Sequence, residues 1–130
     1  MGGASALEGR FPRLRFGTAP ASFGPVLRQA IDPAVAAVFE VEIADLRAPT
    51  RRSPRTAFAR QVAMYLAHVV GGLSLTEVGA LFARDRTTAA HACGIVEDRR
   101  DDPELDRRIE HLERAVVSLI DALSLRRGGR

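Results

Sequence analysis

The chain has 130 residues, of which 46% are hydrophobic and 27% charged, and this suits one compact domain with a tail. Aromatic residues make up only 5% and tryptophan is absent, which disfavours a surface that stacks single-stranded bases. The formal net charge is +3, and the 19 basic residues are all arginine. Every cationic side chain is therefore a planar guanidinium, whose paired donors suit phosphate and guanine.

The charges are distributed unevenly along the chain. Five arginines and no acid lie between Arg47 and Arg60, whereas eight acids and four arginines lie between Glu97 and Glu113. Segregation of this kind gives a protein one surface that attracts a polyanion and another that faces away from it.

The cysteine count and the hydrophobic pattern bear on the compartment. A single cysteine, Cys93, excludes an internal disulfide and suggests a reducing environment. No apolar run approaches the roughly 20 residues that cross a bilayer, and the N-terminus lacks the apolar core of a secretion signal. We therefore expect a cytoplasmic protein with no membrane partner.

Residues 1–23 are expected to form a flexible arm, residues 24–125 the folded domain, and residues 126–130 a frayed tail.

The first half of the domain shows helical periodicity after residue 25. We expect this first helix to be interrupted, or to begin, near Asp32-Pro33. A short turn and helix are expected over Val41–Leu46, ending before Pro49. Ser53 is an N-cap followed by proline at the first helical position, and it predicts a helix over about Pro54–Val70.

The next helices form a predicted helix-turn-helix. Gly71-Gly72 are expected to end the preceding helix. Ser74 and Glu77 fit a capping box that opens a short helix over about Leu75–Phe82, in which Gly79 allows close contact with a neighbouring helix. A second helix, over about residues 87–97, follows after a tight turn.

The second of these helices has a polar start and a narrow apolar back. The apolar residues recur at helical spacing, at Ala89, Ala92, Cys93 and Val96. The residue types at the start suit duplex DNA: arginine can bind guanine with two hydrogen bonds, aspartate can accept from cytosine, and threonine can contact thymine or phosphate. Asp85 is either an N-cap alone or a cap that also contacts a base.

A last helix is expected from about Pro103 to Leu125. Its apolar residues alternate in steps of four and three and form a heptad seam of Leu105, Ile109, Leu112, Val116, Leu119 and Leu123. Two interpretations stay open at this stage, because the seam either packs on the domain's own core or forms a homodimer contact.

Several segments, in their order and spacing, resemble a known family. Arg51–Arg55, Ala59–Leu66, Ser74–Phe82 and Arg84–Cys93 together resemble the C-terminal DNA-binding domain (domain IV) of the bacterial chromosomal replication initiator DnaA. The resemblance covers roughly Ala34 to Leu119. It implies an all-α helix-turn-helix fold, Trp-repressor-like or DnaA domain IV-like, with a long C-terminal helix. It also implies binding of double-stranded DNA, without cofactor, nucleotide or metal in this domain.

The resemblance further implies roles for individual residues. An arginine of the family's basic loop enters the minor groove, and Arg52 stands at the matching position. The family's Arg-Gln pair that touches phosphate matches Arg60 and Gln61, and its major-groove cluster matches residues 85–88. The predicted DNA-contacting residues are Arg51, Arg52, Arg55, Arg60, Gln61, Leu75, Thr76, Arg84, Asp85, Arg86, Thr87, Thr88 and His91.

The chain departs from the family pattern at three places. Arg86 replaces the family's histidine, which either changes the base preference at that step or adds phosphate affinity. The loop Phe82–Arg84 is one residue shorter than the usual Phe-Gly-Gly-Arg, which could rotate the recognition helix. Gly94 and Ile95 occupy positions where members of the family often have basic residues, directly after the segment that matches His91–Cys93. In addition, glycine inside a helix lowers helix stability by ~1 kcal/mol. Whether this chain recognises the A/T-rich DNA sequence that the family usually binds therefore stays open.

The absence of lysine excludes a phosphate loop ending in Gly-Lys-Ser/Thr, so we expect a stand-alone DNA reader without the ATPase module. No Ser–His–Asp arrangement is evident, and His91 and Cys93 diverge on a helix, so neither an enzyme nor a metal site is expected. The favoured function is sequence-specific binding of double-stranded DNA by a nucleoid-associated regulator of transcription or replication initiation. The alternative is a protein-interaction module of the same ancestry that self-associates or binds a partner through its C-terminal helix.

Overall fold

A computed structural model describes residues 23–49 and 53–128, with side chains described as far as residue 125. Every regular element within these residues is a helix: α1 (Phe23–Phe39), α2 (Ile43–Arg47), α3 (Pro54–Val69), α4 (Leu75–Leu81), α5 (Arg86–Arg99) and α6 (Pro103–Gly128). The predicted all-α class is confirmed. All but the last residue of the predicted arm, together with Arg51 and Arg52, lies outside the described residues. Of the helices described, none is long and apolar enough to span a membrane.

The predicted interruption at Asp32-Pro33 is wrong, because α1 continues through Pro33. A proline in a helix interior removes the hydrogen bond to the carbonyl four residues earlier. Tertiary packing outweighs that loss, since α1 buries residues before and after the proline, including Leu27, Ile31 and Val35. The proline itself is exposed, so its ring displaces nothing in the core.

Helix α3 is the centre of the core. It packs against α1 and α5, while α4 packs on α5 and α6 packs on α1. Beyond its first turn most of α3 is buried, through Ala59, Val62, Ala63, Met64, Tyr65, Leu66, Ala67 and Val69. Such burial on several sides is typical of a core helix rather than a surface helix. Helix α3 ends where predicted, before Gly71-Gly72, with Gly72 at φ 75°.

Cap hydrogen bonds confirm the predicted starts of α3 and α4. Ser53 Oγ accepts from Thr56 N at 3.1 Å, and Pro54 occupies the first helical position. In the capping box, Ser74 Oγ accepts from Glu77 N at 3.1 Å and Glu77 Oε1 accepts from Ser74 N at 2.8 Å. Each bond satisfies a backbone donor that has no partner inside its helix, so these two starts are determined locally.

The heptad seam of α6 packs on the protein's own core, which decides between the two interpretations left open above. Ile109, Leu112 and Val116 are buried, and Leu105 and Leu123 are partly buried against the same core. Leu119 is 40% exposed, because a straight helix of 3.6 residues per turn drifts away from a strict heptad and brings Ile120 into the core instead. Most of the seam is therefore covered by the protein itself and is not available to a second copy, so the predicted homodimer contact through it is wrong. The backbone of α6 stays helical to Gly128, beyond the predicted end at Leu125.

A buried ionic network joins the end of α5 to α3 and α6. Arg100 Nη1 donates to Glu113 Oε2 at 2.8 Å and to the Tyr65 hydroxyl at 2.9 Å, and Arg100 Nε donates to Asp106. Burial by itself lowers the pKa of Arg100, but the hydrogen bonds that Arg100 donates to Glu113 and Asp106 outweigh this effect, and the net pKa is raised. Burial raises the pKa of Tyr65 to about 12, so its hydroxyl stays protonated at neutral pH.

The network yields a test of stability. We expect Glu113→Gln to lower the free energy of unfolding by about 3 kcal/mol, because it removes the charge that compensates a buried guanidinium. Glu104→Gln is the matched control, since it breaks an exposed pair with Arg108 (3.5 Å) and should cost less than about 0.5 kcal/mol. Urea unfolding followed by circular dichroism measures both, and equal effects would contradict a structural role for the network.

Candidate nucleic-acid interface

Helices α4 and α5 form the predicted helix-turn-helix, and Gly79 allows the turn to pack closely on α4. Arg84 N donates to Gly79 O at 2.8 Å, and a Cβ atom on Gly79 would lie only 2.7 Å from Arg84 O. Ala83, in the turn, has φ 57°, a left-handed conformation that costs an L-residue roughly 1–2 kcal/mol. The short loop that leads into α5 is therefore both tightly packed and strained.

The start of α5 has the predicted polar face. Asp85 is its N-cap and accepts from Thr88 N through Oδ1 at 2.8 Å, which lowers the pKa of the Asp85 carboxyl from 3.8. This cap is fully formed above that ordinary pKa and is lost only as the pH falls through the lowered one. Arg86, Thr87, Thr88 and His91 are exposed. The apolar back, made of Ala89, Ala92, Cys93 and Val96, is buried as predicted.

An open groove of about 330 Å³ lies between the start of α5 and α3. Thr88 and His91 line it from α5, Gln61 lines it from α3, and Arg84 lines it from the turn. Five residues predicted as DNA contacts therefore surround one groove, because Arg60 also lines it from α3. They come from three segments of the chain, and only the packing of α5 on α3 brings them together.

Arg60 has a structural role that the sequence did not reveal. The residue is only 9% exposed. Its Nε donates to Leu46 O at 3.2 Å and its Nη2 donates to Asp45 O at 2.8 Å. Both carbonyls lie near the C-terminal end of α2, and Asp45 O also accepts from Ala48 N at 3.3 Å. The guanidinium predicted to touch phosphate is therefore used largely inside the protein.

The remaining predicted contacts differ in exposure. Arg55 is exposed, with Nη1 donating to Glu40 O at 3.5 Å, and Thr76 is exposed in the first turn of α4. Leu75 is half-buried and packs against the core, so its side chain serves packing as well. Arg84 is half-buried, with its Nη1 donating to Ala83 O at 3.3 Å.

Sequence reasoning missed a buried carboxylate beneath this surface. Asp32 is fully buried and is bound by Arg28, four residues earlier, and by Arg47 at the end of α2. The spacing of Arg28 and Asp32 is a helical ion-pair signal present in the sequence. The contact with Arg47 has no such signal, because it spans 15 residues and depends on how α2 folds back on α1.

Cys93 is part of the core, as predicted. Burial, followed by the nearby Glu97 charge, raises the pKa of its thiol to about 12, so the sulfur stays protonated at neutral pH. Among the side chains that the structure describes, no group of three His, Cys, Asp or Glu could hold a metal ion.

The sequence also matches one protein family over its central part. The family profile "Bacterial dnaA protein helix-turn-helix" matches residues 29–96, just over half of the chain and a stretch running from α1 into α5. The chain belongs to this family. Membership in the DnaA helix-turn-helix family supports DNA binding in general, and the matched region contains the turn and the groove described above.

Relatives of this DnaA-family chain are named chromosomal replication initiator proteins. DnaA 1 of Protochlamydia amoebophila (strain UWE25) is 42% identical over 85 residues, which are 65% of this chain and 19% of that protein. DnaA of Bordetella pertussis is 37% identical over 97 residues, 73% of this chain and 20% of the relative. DnaA of Caldanaerobacter subterraneus is 33% identical over 87 residues, which are 66% of this chain and 19% of that protein. The chain thus matches about a fifth of the length of these curated relatives.

Two glycines of the DnaA-type helix-turn-helix should respond oppositely to alanine. We expect Gly79→Ala to lower the free energy of unfolding by about 2 kcal/mol, because its methyl group would meet Arg84 O. Gly94 is exposed in α5 and a Cβ there meets no atom within 4 Å, so Gly94→Ala should raise stability by about 1 kcal/mol. Urea unfolding measures both, and a shift of the same sign would refute the close-packing explanation.

Proposed function

We propose that this protein binds double-stranded DNA with sequence specificity and places the start of α5 in the major groove. The observation that carries the proposal is the two-faced α5, whose Arg86, Thr87 and Thr88 side chains are exposed while its small apolar face is buried. In helix-turn-helix proteins the N-terminal residues of the second helix meet the base edges. Guanidinium and hydroxyl groups at this end can bond both bases and phosphates.

The basic segment Arg51–Arg55, which follows α2, is the proposed second contact, on the neighbouring minor groove and the backbone. Arg52, in the middle of this segment, would enter the minor groove, while Arg51 and the exposed Arg55 would bind phosphate. Since Arg60 is used largely inside the protein, Gln61 and Thr88 would carry the phosphate contact beside the α3–α5 groove.

Regulation of transcription or of replication initiation is the proposed biological role. The relatives are named replication initiators, and this chain, which matches the family's helix-turn-helix profile, covers about a fifth of their length. A protein that occupies specific duplex sites can block or recruit other proteins there without chemistry of its own. Arg86, exposed at the first position of α5, is the residue we propose to set the site preference.

Binding-site selection from a random duplex pool at fixed salt tests this function. We expect one motif to be enriched, and on that duplex log K should fall linearly with log salt concentration, by about 0.9 per phosphate contacted. A pool without any enriched motif would contradict sequence specificity. An affinity that does not change with salt would contradict DNA binding altogether.

Arg86→Ala tests the proposed specificity residue. It should weaken binding to the enriched duplex by about 1–3 kcal/mol and relax the preference at one base step, because arginine bonds guanine with two donors. Arg86→Lys keeps the charge but lacks the planar fork, so it should also lose the preference at that step while retaining affinity for other duplexes. Equal weakening of Arg86→Ala on every duplex would instead assign Arg86 to phosphate.

A further inference from the structure

A buried carboxylate links two elements that border the proposed DNA surface. Asp32, in α1, has a fully buried side chain. Arg28 Nε donates to both of its oxygens, at 3.1 and 3.0 Å, and Arg47 Nε donates to Oδ2 at 2.8 Å. A buried carboxylate is strongly disfavoured without such partners, so both arginines are held against Asp32. We call these three residues the Asp32 clamp.

Arg28 extends the clamp to the helix-turn-helix. Its Nη1 donates to Leu81 O at 3.4 Å, and its guanidinium carbon lies 4.0 Å from the centre of the Phe82 ring. Leu81 is the last residue of α4 and Phe82 is its C-cap. The turn that leads into α5 is therefore attached to Asp32 through one planar guanidinium, which bonds the carboxylate and stacks on the ring at once.

Arg47 extends the clamp to the end of α2, from which the basic segment continues. Arg60 secures the same end through its bonds to the Asp45 and Leu46 carbonyls. An open groove of about 310 Å³ separates this end from the helix-turn-helix turn, and residues of both elements line it. Asp32 is thus connected to both walls of that groove.

We propose that Asp32 is a positioning residue for DNA recognition, because it sets the distance between the end of α2 and the helix-turn-helix turn. The inference rests on the proposed function. A protein that reads DNA with two elements must hold them at one separation, since the positions of the grooves are fixed by the duplex. Asp32 is buried and does not touch DNA, so it acts through Arg28 and Arg47.

Two variants each remove one of the two arginines of the clamp, and these are called the arm variants. Arg28→Ala releases the turn and Arg47→Ala releases the end of α2, while Asp32 keeps the other arginine as a partner in each variant. Circular dichroism and urea unfolding check that both variants are folded. Arg107→Ala is the control, because this exposed arginine of α6 carries the same charge and makes no contact with the clamp.

The readout is the ratio of affinities for the enriched duplex and a scrambled duplex at one salt concentration. Positioning predicts that each arm variant lowers this ratio about tenfold, within the range of coupling between neighbouring residues. Affinity for the scrambled duplex should change less than about twofold, and the control should leave the ratio unchanged. An equal loss on both duplexes, as expected from lost charge or lost stability alone, would overturn the positioning role.

A double-mutant cycle tests whether the arms act through Asp32. In an Asp32→Asn background, Arg28→Ala or Arg47→Ala should lower the ratio no further, because the shared link is already broken. Additive losses would overturn the inference. Should Asp32→Asn fail to fold, a second cycle compares Arg28→Lys, Arg47→Lys and the double variant, which keep both charges but lose the planar guanidinium. Their losses are again expected to be non-additive.

The failures of the two proposals are distinguishable. A wild-type protein that prefers no duplex would overturn the proposed function, and this inference with it. A wild-type preference that both arm variants retain in full would overturn the positioning role alone.

Discussion

The packing of α5 on α3 is the contact on which the proposed interface depends. A recognition helix must keep its outer face polar, so it can bury only a narrow stripe. In α5 that stripe consists of small residues such as Ala89 and Ala92, which bring the helix close to α3 but bury little area each. Additional constraints therefore come from the flanks: the close contact between Gly79 of α4 and Arg84 in the turn before α5, and the Arg100 network at the end of α5. Between them these contacts determine both the position and the direction of the helix.

Arginine serves two opposite purposes in this protein, and this limits what charge counting can show. Arg28, Arg60 and Arg100 turn inward, where carboxylates or backbone carbonyls accept their donors. Arg55 and Arg86 remain exposed. The guanidinium group allows both uses, because it is weakly hydrated and directs several donors in one plane. In a chain without lysine, a local excess of arginine therefore overstates the number of cations available to DNA.

Prediction from the sequence was most successful where the determining interactions are local. The caps at Ser53, Ser74 and Asp85 each involve residues three positions apart, so their signals are complete within a few letters of sequence. The prediction failed at Pro33, where a local helix-breaking signal was outweighed by burial along the whole of α1. It was ambiguous for α6, since a heptad seam suits a core and a partner equally well until the rest of the domain is present.

The sequence by itself determined the class of fold, the helix-turn-helix and the polar and apolar faces of α5, because those features follow from spacing and local hydrogen bonding. The residues proposed to read DNA were named from the resemblance to the DnaA family. Only the tertiary structure decided which arginines stay available, that α6 packs inward, and that Asp32 connects the end of α2 with the helix-turn-helix turn. These outcomes depend on contacts between residues far apart in the chain. Their energies come from burial and charge pairing, which exist only once the helices are packed.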